Sequence, residues 1–327
     1  MKVLVTGGCG FIGSNFIVGL LKVEGVERII NIDALTYAAN PKFLEGKVDS
    51  RYEHAKFNLQ KDTLCIEALI ESYRPDYIFH FAAESHVCNS IKGPGVFYDT
   101  NVIGTVNLLE AIRKSGHKCR LVHISTDEVF GELPIEGGEK FDEFYPILPN
   151  SPYAASKAAS DLAVRAWWRT YGVDGVIVNC SNNFGPNQHA EKFIPRIIRA
   201  IADNKPITIY GTGQQIRDWL FVEDCCDGIL MAGIHGQAGE RYCLGGERPM
   251  KNVDMIDYVI SCCSALSGKS LNPQVLLTND RPTDDQKYEI DSTKAGFDLG
   301  WTPNNCDFEV NLAKTVSWYL KEWGITL

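Results

Sequence analysis

The feature that most constrains the fold is a glycine-rich turn near the start of the chain, between a short β-branched run and a helical pattern. The run covers Lys2 to Val5, and the turn satisfies both G-x-G-x-x-G and G-x-x-G-x-x-G through Gly7, Gly8, Gly10 and Gly13. Glycines at this spacing let a pyrophosphate approach the free N–H groups of a helix N-terminus. The pattern alone also fits an ordinary tight turn, so its meaning depends on the residues that follow.

A carboxylate follows the turn at the distance that a dinucleotide-binding unit requires. A second β-branched run, Ile29 to Ile32, ends at Asp33, which lies 20 residues after Gly13. An acid at this position accepts hydrogen bonds from the ribose hydroxyls of NAD and repels the 2′-phosphate of NADP, and no arginine follows nearby to bind that phosphate. The sequence therefore predicts a dinucleotide site and favours NAD.

Strand and helix patterns continue to alternate as far as residue 181, which predicts an α/β fold with a Rossmann-type doubly wound parallel sheet. Strands are expected at 52–57, 77–81, 121–125 and 176–181, and helices at 62–73, 101–114 and 153–171. Later elements are mixed, with strands at 207–210, 242–244 and 275–277 and helices at 193–203, 253–266 and 310–322. We predict an NAD-binding domain of residues 1–181 plus about 217–246, and a smaller mixed α/β substrate domain of about 182–216 plus 247–327.

Composition excludes several classes of protein. The 327 residues are 45% hydrophobic, enough for a large core, and the formal net charge of −9 argues against a nucleic-acid or anionic membrane surface. The first apolar run is broken at once by glycines, so we expect neither a signal peptide nor a membrane span. We therefore expect a cytoplasmic location. The 11 cysteines form no Cys-x-x-Cys pair, which predicts reduced thiols and no bound metal.

Two short stretches carry the candidate chemistry. Thr126, Asp127 and Glu128 follow a buried strand pattern, at a strand end where open α/β sheets bind ligands. Tyr153 and Lys157 lie four residues apart and share one face of a predicted helix. A tyrosine with a pKa near ~10 can act as a base if Lys157 and oxidised nicotinamide stabilise its phenolate. Tyr-x-x-x-Lys also occurs on surface helices by chance, but the glycine turn and the strand-end threonine favour alcohol oxidation.

These motifs together resemble the extended short-chain dehydrogenases/reductases and, more closely, the dTDP-glucose 4,6-dehydratases, over essentially the full length. The segments that carry the resemblance are TGGCGFIGSNF (6–16), DALTY (33–37), AAESHV (82–87), STDEVFG (125–131), SPYAASK (151–157), CSNNFGP (180–186) and RDWL (217–220). The adjacent Asp127 and Glu128 discriminate best, because related epimerases and decarboxylases generally lack this pair.

The resemblance implies an NAD-dependent nucleotide-sugar 4,6-dehydratase, with dTDP-glucose as the expected substrate. Tyr153 would take the proton of the C4 hydroxyl, helped by Thr126 and Lys157, while NAD accepts the C4 hydride. Glu128 would then remove the C5 proton, and Asp127, kept protonated by burial beside a second carboxylate, would protonate the departing C6 hydroxyl. NADH would return its hydride to C6, so the cofactor should stay bound.

The resemblance also implies which residues form the binding sites. Those expected to bind the cofactor are Gly7, Gly10, Phe11, Ile12, Gly13, Asp33, Asn58, Ala82, Tyr153 and Lys157. Those expected to bind the nucleotide sugar are Ser85, His86, Asn182, Lys192, Arg217 and Arg281, although His86 by itself is more typical of a structural hydrogen-bonding group. The family usually dimerises through a four-helix bundle, which predicts a homodimer through helices 101–114 and 153–171.

Several positions depart from the family pattern. Cys88 and Asn89 stand where an acid and an arginine are usual, Asn58 where an aspartate meets the adenine, and Asn179 where an arginine is usual. Thr283 and Asp284 replace a glycine and a histidine. These changes bear on which nucleotide and sugar bind and leave the predicted reaction type intact. Three alternatives stay open: a 4,6-dehydratase of another UDP-, GDP- or N-acetylated sugar nucleotide, a sugar-nucleotide 4-epimerase, and a non-catalytic NAD-binding protein.

Overall fold

The computed structural model describes residues 1–279, 282–304 and 307–327. Its strands are β1 (Lys2–Thr6), β2 (Arg28–Ile32), β3 (Tyr52–Ala55), β4 (Tyr77–His80), β5 (Arg120–Thr126), β6 (Gly175–Cys180), β7 (Asn182–Phe184), β8 (Ile207–Tyr210), β9 (Ile216–Phe221), β10 (Arg241–Leu244), β11 (Pro249–Lys251) and β12 (Val275–Thr278). Its α-helices are α1 (Phe11–Leu20), α2 (Thr63–Tyr73), α3 (Val87–Lys92), α4 (Gly95–Phe97), α5 (Gly104–Ser115), α6 (Pro152–Tyr171), α7 (Phe193–Ala202), α8 (Val222–His235), α9 (Asn252–Ser267), α10 (Thr293–Leu299) and α11 (Phe308–Glu322).

Seven strands form one parallel sheet in the order β10-β6-β5-β4-β1-β2-β3. The chain order reverses between β1 and β4, so the connections from these two strands leave in opposite directions and open a crevice at their carboxyl ends. The fold class predicted from the sequence is therefore confirmed.

Helices cover both faces of this sheet, which explains why most residues of its central strands are apolar. Alternate residues of β1 point to opposite faces: Val3 and Val5 pack in a cluster with α1 and α8, whereas Leu4 packs with α2, α5 and α6. Both faces are thus buried, and the polar groups of the site are confined to the strand ends.

The smaller region contains two further sheets. β9 pairs in parallel with β7 and antiparallel with β11, and β8 pairs in parallel with β12. Helices α7, α9 and α11 pack beside them. The chain then returns through α8 to β10 at the edge of the large sheet. The domain limits given above remain a prediction.

Helix α8 is the largest element to which the sequence analysis assigned no secondary structure. Two of its glycines allow close packing, because a Cβ at Gly228 would lie 2.6 Å from Leu244 Cδ1 and one at Gly233 would lie 2.9 Å from Phe79 Cζ. Glycine lowers helix propensity, and tertiary packing overrides it here. The chain also begins the expected helix at 101–114 with a π-helical segment, Tyr98–Ile103, before α5.

No helix in the described ranges combines the length and the apolar character needed to cross a bilayer.

Candidate active site

The turn between β1 and α1 is shaped by glycines that no other residue could replace without a clash. Gly7 has a φ of +73°, and a Cβ there would lie 2.6 Å from the backbone nitrogen of Ala82. A Cβ on Gly13 would lie 2.5 Å from the carbonyl oxygen of Gly7. Gly10 is the N-cap of α1, so the first N–H groups of the helix face the turn. This cradle has the shape that a pyrophosphate requires.

Asp33 follows β2 and is held beside the cradle by two backbone N–H groups. Its Oδ2 accepts a hydrogen bond from the nitrogen of Cys9 at 2.9 Å, and its Oδ1 accepts one from the nitrogen of Leu35 at 2.8 Å. The side chain is therefore fixed in one orientation at the edge of the crevice. Its remaining lone pairs are available to the hydroxyls of a ribose.

One cavity runs along the crevice and fits a dinucleotide. Its lining includes every residue predicted to bind the cofactor: Gly7, Gly10, Phe11, Ile12, Gly13, Asp33, Asn58, Ala82, Tyr153 and Lys157. Ser85 and Lys192 line it as well, whereas His86, Asn182 and Arg217 do not. Arg281 lies outside the described residues. The structure thus brings the predicted cofactor residues together and separates the predicted substrate residues into two groups.

Lys157 lies at the floor of this cavity on α6, which begins at Pro152 with Ser151 as its N-cap. The hydroxyl of Ser151 accepts a hydrogen bond from the nitrogen of Ala154 at 3.0 Å. The ammonium of Lys157 donates to the carbonyl oxygen of Ile124 at 2.7 Å, which fixes it against β5. Burial disfavours its charged form and lowers the pKa of Lys157 from 10.5 to about 8.

Tyr153 is buried one helical turn before Lys157 and is hydrogen-bonded to the side chain of Thr126. Burial first, and then the negative charge of Glu128, raise the pKa of Tyr153 well above its usual value. The lowering expected from the sequence depends on bound oxidised nicotinamide together with Lys157, so it stays a prediction. Among the protein's own groups, burial and the charges of Glu128, Asp127 and Asp161 oppose formation of the phenolate, and the ammonium of Lys157 is hydrogen-bonded to the carbonyl oxygen of Ile124.

The acidic pair lies where β5 ends, as predicted, in a 3-10 turn at Asp127–Phe130. Thr126 caps this turn: its Oγ1 accepts a hydrogen bond from the nitrogen of Glu128 at 3.3 Å and donates to Asp127 Oδ1 at 3.1 Å. Asp127 is only 1% exposed, whereas Glu128 is partly exposed. Burial and the adjacent charge of Glu128 raise the pKa of Asp127 well above its usual value. Both effects favour the protonated form of Asp127, beside the partly exposed carboxylate of Glu128.

A third carboxylate, Asp218 on β9, belongs to the same cluster and was missed by the sequence analysis. It is fully buried and accepts hydrogen bonds from the backbone nitrogens of Gly246 at 3.0 Å and Arg248 at 2.8 Å. Burial raises the pKa of Asp218 to about 6, and its charge further raises the pKa of Asp127, which Arg217 opposes. The Arg-Asp-Trp segment was noted in the sequence only as a family motif.

Asn179 supports the end of β5 from the neighbouring strand β6. Its Nδ2 donates to the carbonyl oxygen of Thr126 at 2.8 Å and to Asp161 Oδ2 at 3.2 Å. Asp161 in turn contacts His123 at 3.3 Å and Arg241 at 3.4 Å. The position where the family usually has an arginine is thus filled here by an amide that holds the backbone of Thr126.

Ser85 and Lys192 meet across the mouth of the crevice, because the ammonium of Lys192 donates to the carbonyl oxygen of Ser85 at 2.9 Å. His86 is the N-cap of α3: its Nδ1 accepts a hydrogen bond from the nitrogen of Asn89 at 3.3 Å, and its Nε2 lies 3.9 Å from Glu191 Oε2. This geometry is that of a structural histidine. Asn182 lies on β7, opposite Trp219 of β9.

Comparison with known proteins agrees with this geometry. The sequence profile of the family described as GDP-mannose 4,6 dehydratase matches residues 4–315. The chain is 42% identical to the dTDP-glucose 4,6-dehydratase of Salmonella typhimurium, over 98% of this chain and 93% of that protein. It is equally identical, with the same coverage, to dTDP-glucose 4,6-dehydratase 1 of Escherichia coli.

Solved structures show the same similarity. The dTDP-glucose 4,6-dehydratase DesIV of Streptomyces venezuelae, crystallised with NAD and TYD bound, superposes with a TM-score of 0.91 at 39% identity, covering 99% of this chain and 98% of that one. The UDP-glucose 4-epimerase of Thermus thermophilus, in complex with NAD, superposes with a TM-score of 0.85 at 28% identity, covering 98% of this chain and 99% of that one. The epimerase thus shares the fold at a lower identity than the dehydratase.

Proposed function

Because the chain belongs to the dTDP-glucose 4,6-dehydratase family of the extended short-chain dehydrogenases/reductases, we propose that it converts dTDP-glucose to dTDP-4-keto-6-deoxyglucose with NAD bound throughout. The observation that carries this proposal is the pairing of a buried Asp127 with a partly exposed Glu128, joined to Tyr153 through the side chain of Thr126. Removal of water from a sugar needs one acid and one base, and this pair offers both.

Tyr153 and Thr126 carry out the first step of the proposed mechanism. The side chains of Tyr153 and Thr126 are hydrogen-bonded to each other, so both can contact the oxygen of the C4 hydroxyl, and Tyr153 takes its proton. Lys157 lies one helical turn after Tyr153 and is held by the carbonyl oxygen of Ile124 at 2.7 Å, and its charge would stabilise the phenolate together with that of oxidised nicotinamide. Bound NAD supplies the chemistry that these side chains lack, because it takes hydride from C4 and gives it back to C6.

Glu128 and Asp127 carry out the elimination. Oxidation at C4 makes the C5 proton acidic, and Glu128 removes it from the exposed side of the turn. Asp127 donates its proton to the hydroxyl leaving C6. The buried environment and the neighbouring charges of Glu128 and Asp218 favour the protonated form of Asp127, so the two acids keep separate roles through the cycle.

The residues of the crevice fit NAD. The space that a Cβ would fill at Gly7 and Gly13 is left open for the pyrophosphate, and Asp33 is oriented for the adenosine ribose. We propose that the nucleotide sugar is bound by Ser85, Asn182, Lys192, Arg217 and Arg281. His86 supports this site as the N-cap of α3. The smaller domain then closes the sugar side of the crevice.

We also propose that two copies pair through α5 and α6. These helices pack on each other, and large apolar side chains are exposed on α6 and on the π-helical segment before α5: Leu162 and Tyr171 are 52% and 54% exposed, and Ile103 is 48% exposed. Sedimentation is expected to give a dimer, and Leu162→Glu is expected to give a monomer of 36.4 kDa. A wild-type monomer would contradict the pairing. A cytoplasmic location is proposed from the NAD requirement and from the free thiols among the described cysteines.

The test is incubation of the NAD-loaded protein with dTDP-glucose, followed by mass spectrometry. We expect a product lighter by one water, with no net consumption of NAD, and no product from Tyr153→Phe. A product of unchanged mass would indicate a 4-epimerase instead. A panel of UDP-, GDP- and N-acetylated sugar nucleotides run alongside identifies the substrate if dTDP-glucose is not turned over.

A further inference from the structure

Arg217 is held by the protein's own oxygen atoms. Its side chain is almost fully buried, its Nη1 donates to the carbonyl oxygen of Ile216 at 2.8 Å, and its Nη2 donates to the carbonyl oxygen of Asp285 at 2.8 Å. The guanidinium also stacks over the ring of Tyr288, 4.3 Å from its centre. These contacts fix the plane of the guanidinium.

The charge of Arg217 is met by Asp284. One oxygen, Oδ1, lies 3.3 Å from Arg217 Nη2, and the other, Oδ2, accepts a hydrogen bond from Gln215 Nε2 at 3.0 Å. The two charged side chains are only 7% and 5% exposed, so water screens this ion pair little. Thr283 precedes it with a φ of +62°, a left-handed conformation that a threonine adopts at a cost.

Thr283 and Asp284 stand at two positions where the family pattern has a glycine and a histidine. Replacing glycine at a left-handed position adds backbone strain, and replacing histidine by aspartate adds a negative charge beside Arg217. Arg217 also lowers the pKa of the buried Asp127, so its charge acts on the acidic pair. The chain therefore places a carboxylate directly against Arg217, after a threonine in a left-handed conformation.

We propose that Asp284 is a specificity-determining residue that acts as an internal anion, occupying the face of Arg217 to which a diphosphate oxygen of the substrate would otherwise bind. The proposal rests on the proposed function for the class of ligand. A diphosphate entering the site must displace the carboxylate of Asp284 or share the guanidinium with it. Binding of the nucleotide then depends more on Lys192 and on the sugar, and less on Arg217.

The test is calorimetric titration of the NAD-loaded protein with dTDP, which reports binding without any reaction. Asp284→Asn removes the charge and keeps the shape of the side chain, and we expect dTDP to bind about tenfold more tightly than to the wild type. Asp285→Asn is the matched control, because it also removes one negative charge but its side chain contacts Asn150 and Tyr288 and not Arg217. It is expected to leave the affinity for dTDP within about twofold of the wild type.

A double variant shows whether the gain passes through Arg217. In an Arg217→Gln background, adding Asp284→Asn is expected to give no further tightening, because the released guanidinium is no longer present. Asp284→Ser is a second neutral variant in case the asparagine variant folds poorly, with NAD content and circular dichroism as checks. If dTDP binds to both neutral variants no more tightly than to the wild type, the proposal is wrong. Equal tightening by Asp285→Asn, or tightening that persists without Arg217, would also overturn it.

Failure of the proposed function gives a different result. If the wild type does not turn over dTDP-glucose, but Asp284→Asn still binds dTDP more tightly through Arg217, the role of Asp284 stands and the substrate assignment fails. If dTDP-glucose is dehydrated but wild type and variant bind dTDP with the same affinity, the substrate assignment stands and the proposed role of Asp284 is wrong.

Discussion

The cofactor end and the elimination end of the crevice are built in different ways. At the cofactor end, the backbone forms the site. The absence of side chains at Gly7 and Gly13 leaves space for the pyrophosphate, and backbone N–H groups orient Asp33. At the elimination end, side chains form the site: Asp127 and Asp218 are buried together, and both have raised pKa values.

This difference shows where each end is vulnerable. A backbone cradle fails when its shape changes, and almost any added atom changes it. A cluster of buried acids loses its activity when the protonation state of one member changes. An isosteric substitution can therefore keep the geometry of the cluster and still abolish catalysis. Changes at the two ends should therefore lower different quantities, cofactor affinity at one and catalytic rate at the other.

The largest effect is expected for Glu128→Gln, which keeps the shape of the elimination end and removes its base. Turnover should fall by about 10³-fold, the middle of the usual range for loss of a general base. Uptake of solvent deuterium at C5 of the product should fall in parallel, as read by mass spectrometry. Glu136→Gln, an exposed acid in the loop that follows, is the control and should turn over like the wild type. Turnover unchanged in Glu128→Gln would remove this residue from the mechanism.

Asp127→Asn removes the acid and should lower turnover by about 10²-fold. The leaving group distinguishes this role from that of Glu128, because fluoride at C6 departs without being protonated. With a 6-fluoro substrate, Asp127→Asn should recover most of the wild-type rate and Glu128→Gln should not. The measurement is fluoride release. Recovery in neither variant would show that Asp127 does more than donate a proton.

The cofactor end is tested by Gly13→Ala against Gly19→Ala. Both residues lie on α1, but a Cβ at Gly13 would meet the carbonyl oxygen of Gly7 at 2.5 Å, whereas a Cβ at Gly19 meets nothing within 4 Å. We expect Gly13→Ala to weaken NAD binding by at least about fivefold, since a strained substitution of this kind costs roughly 1–3 kcal/mol. Gly19→Ala should retain NAD through gel filtration. Equal NAD content in the two variants would contradict the cradle.

The smallest effect is a pH dependence that links the two ends through Lys157. Because burial lowers the pKa of Lys157 to about 8, its ammonium is lost as the pH rises above that value, and the oxidation rate should fall. Stability should move the other way. The unfolded chain holds this proton up to about pH 10.4, so between the two values the unfolded state binds more protons and the contribution of Lys157 to stability rises with pH.

Rate profiles and denaturant unfolding measured at the same pH values separate these two effects. A rate that falls only where the protein unfolds would show that the loss of activity reflects denaturation and not the proton of Lys157.

The two ends also differ in how well they could be predicted from the sequence. The glycine turn, Asp33, Tyr153 and Lys157 are defined by short spacings that fix local geometry, and the structure brings them together in one cavity. Asp218 lies 91 residues after Asp127, and its approach depends on how β9 packs against the end of β5. The ion pair of Arg217 with Asp284 depends in the same way on long-range packing.

The effect of the protein's own groups on the pKa of Tyr153 could not be predicted for a related reason. The sequence places Lys157 one helical turn from the phenol, but not the carbonyl oxygen of Ile124 that the ammonium binds. It also does not give the extent of burial around the ring, which dominates the shift. Helix α8 was missed because Gly228 and Gly233 lower its helix propensity, which tertiary packing overrides.

The central claim is that oxidation and elimination use separate side chains of one site. It is tested most directly by mixing the NAD-loaded protein with a single equivalent of dTDP-glucose and following the absorbance of reduced nicotinamide. Glu128→Gln should reduce its NAD at close to the wild-type rate and remain reduced, whereas Tyr153→Phe should not reduce it. If Glu128→Gln, like Tyr153→Phe, does not reduce its NAD, then oxidation and elimination share their residues and the account is wrong.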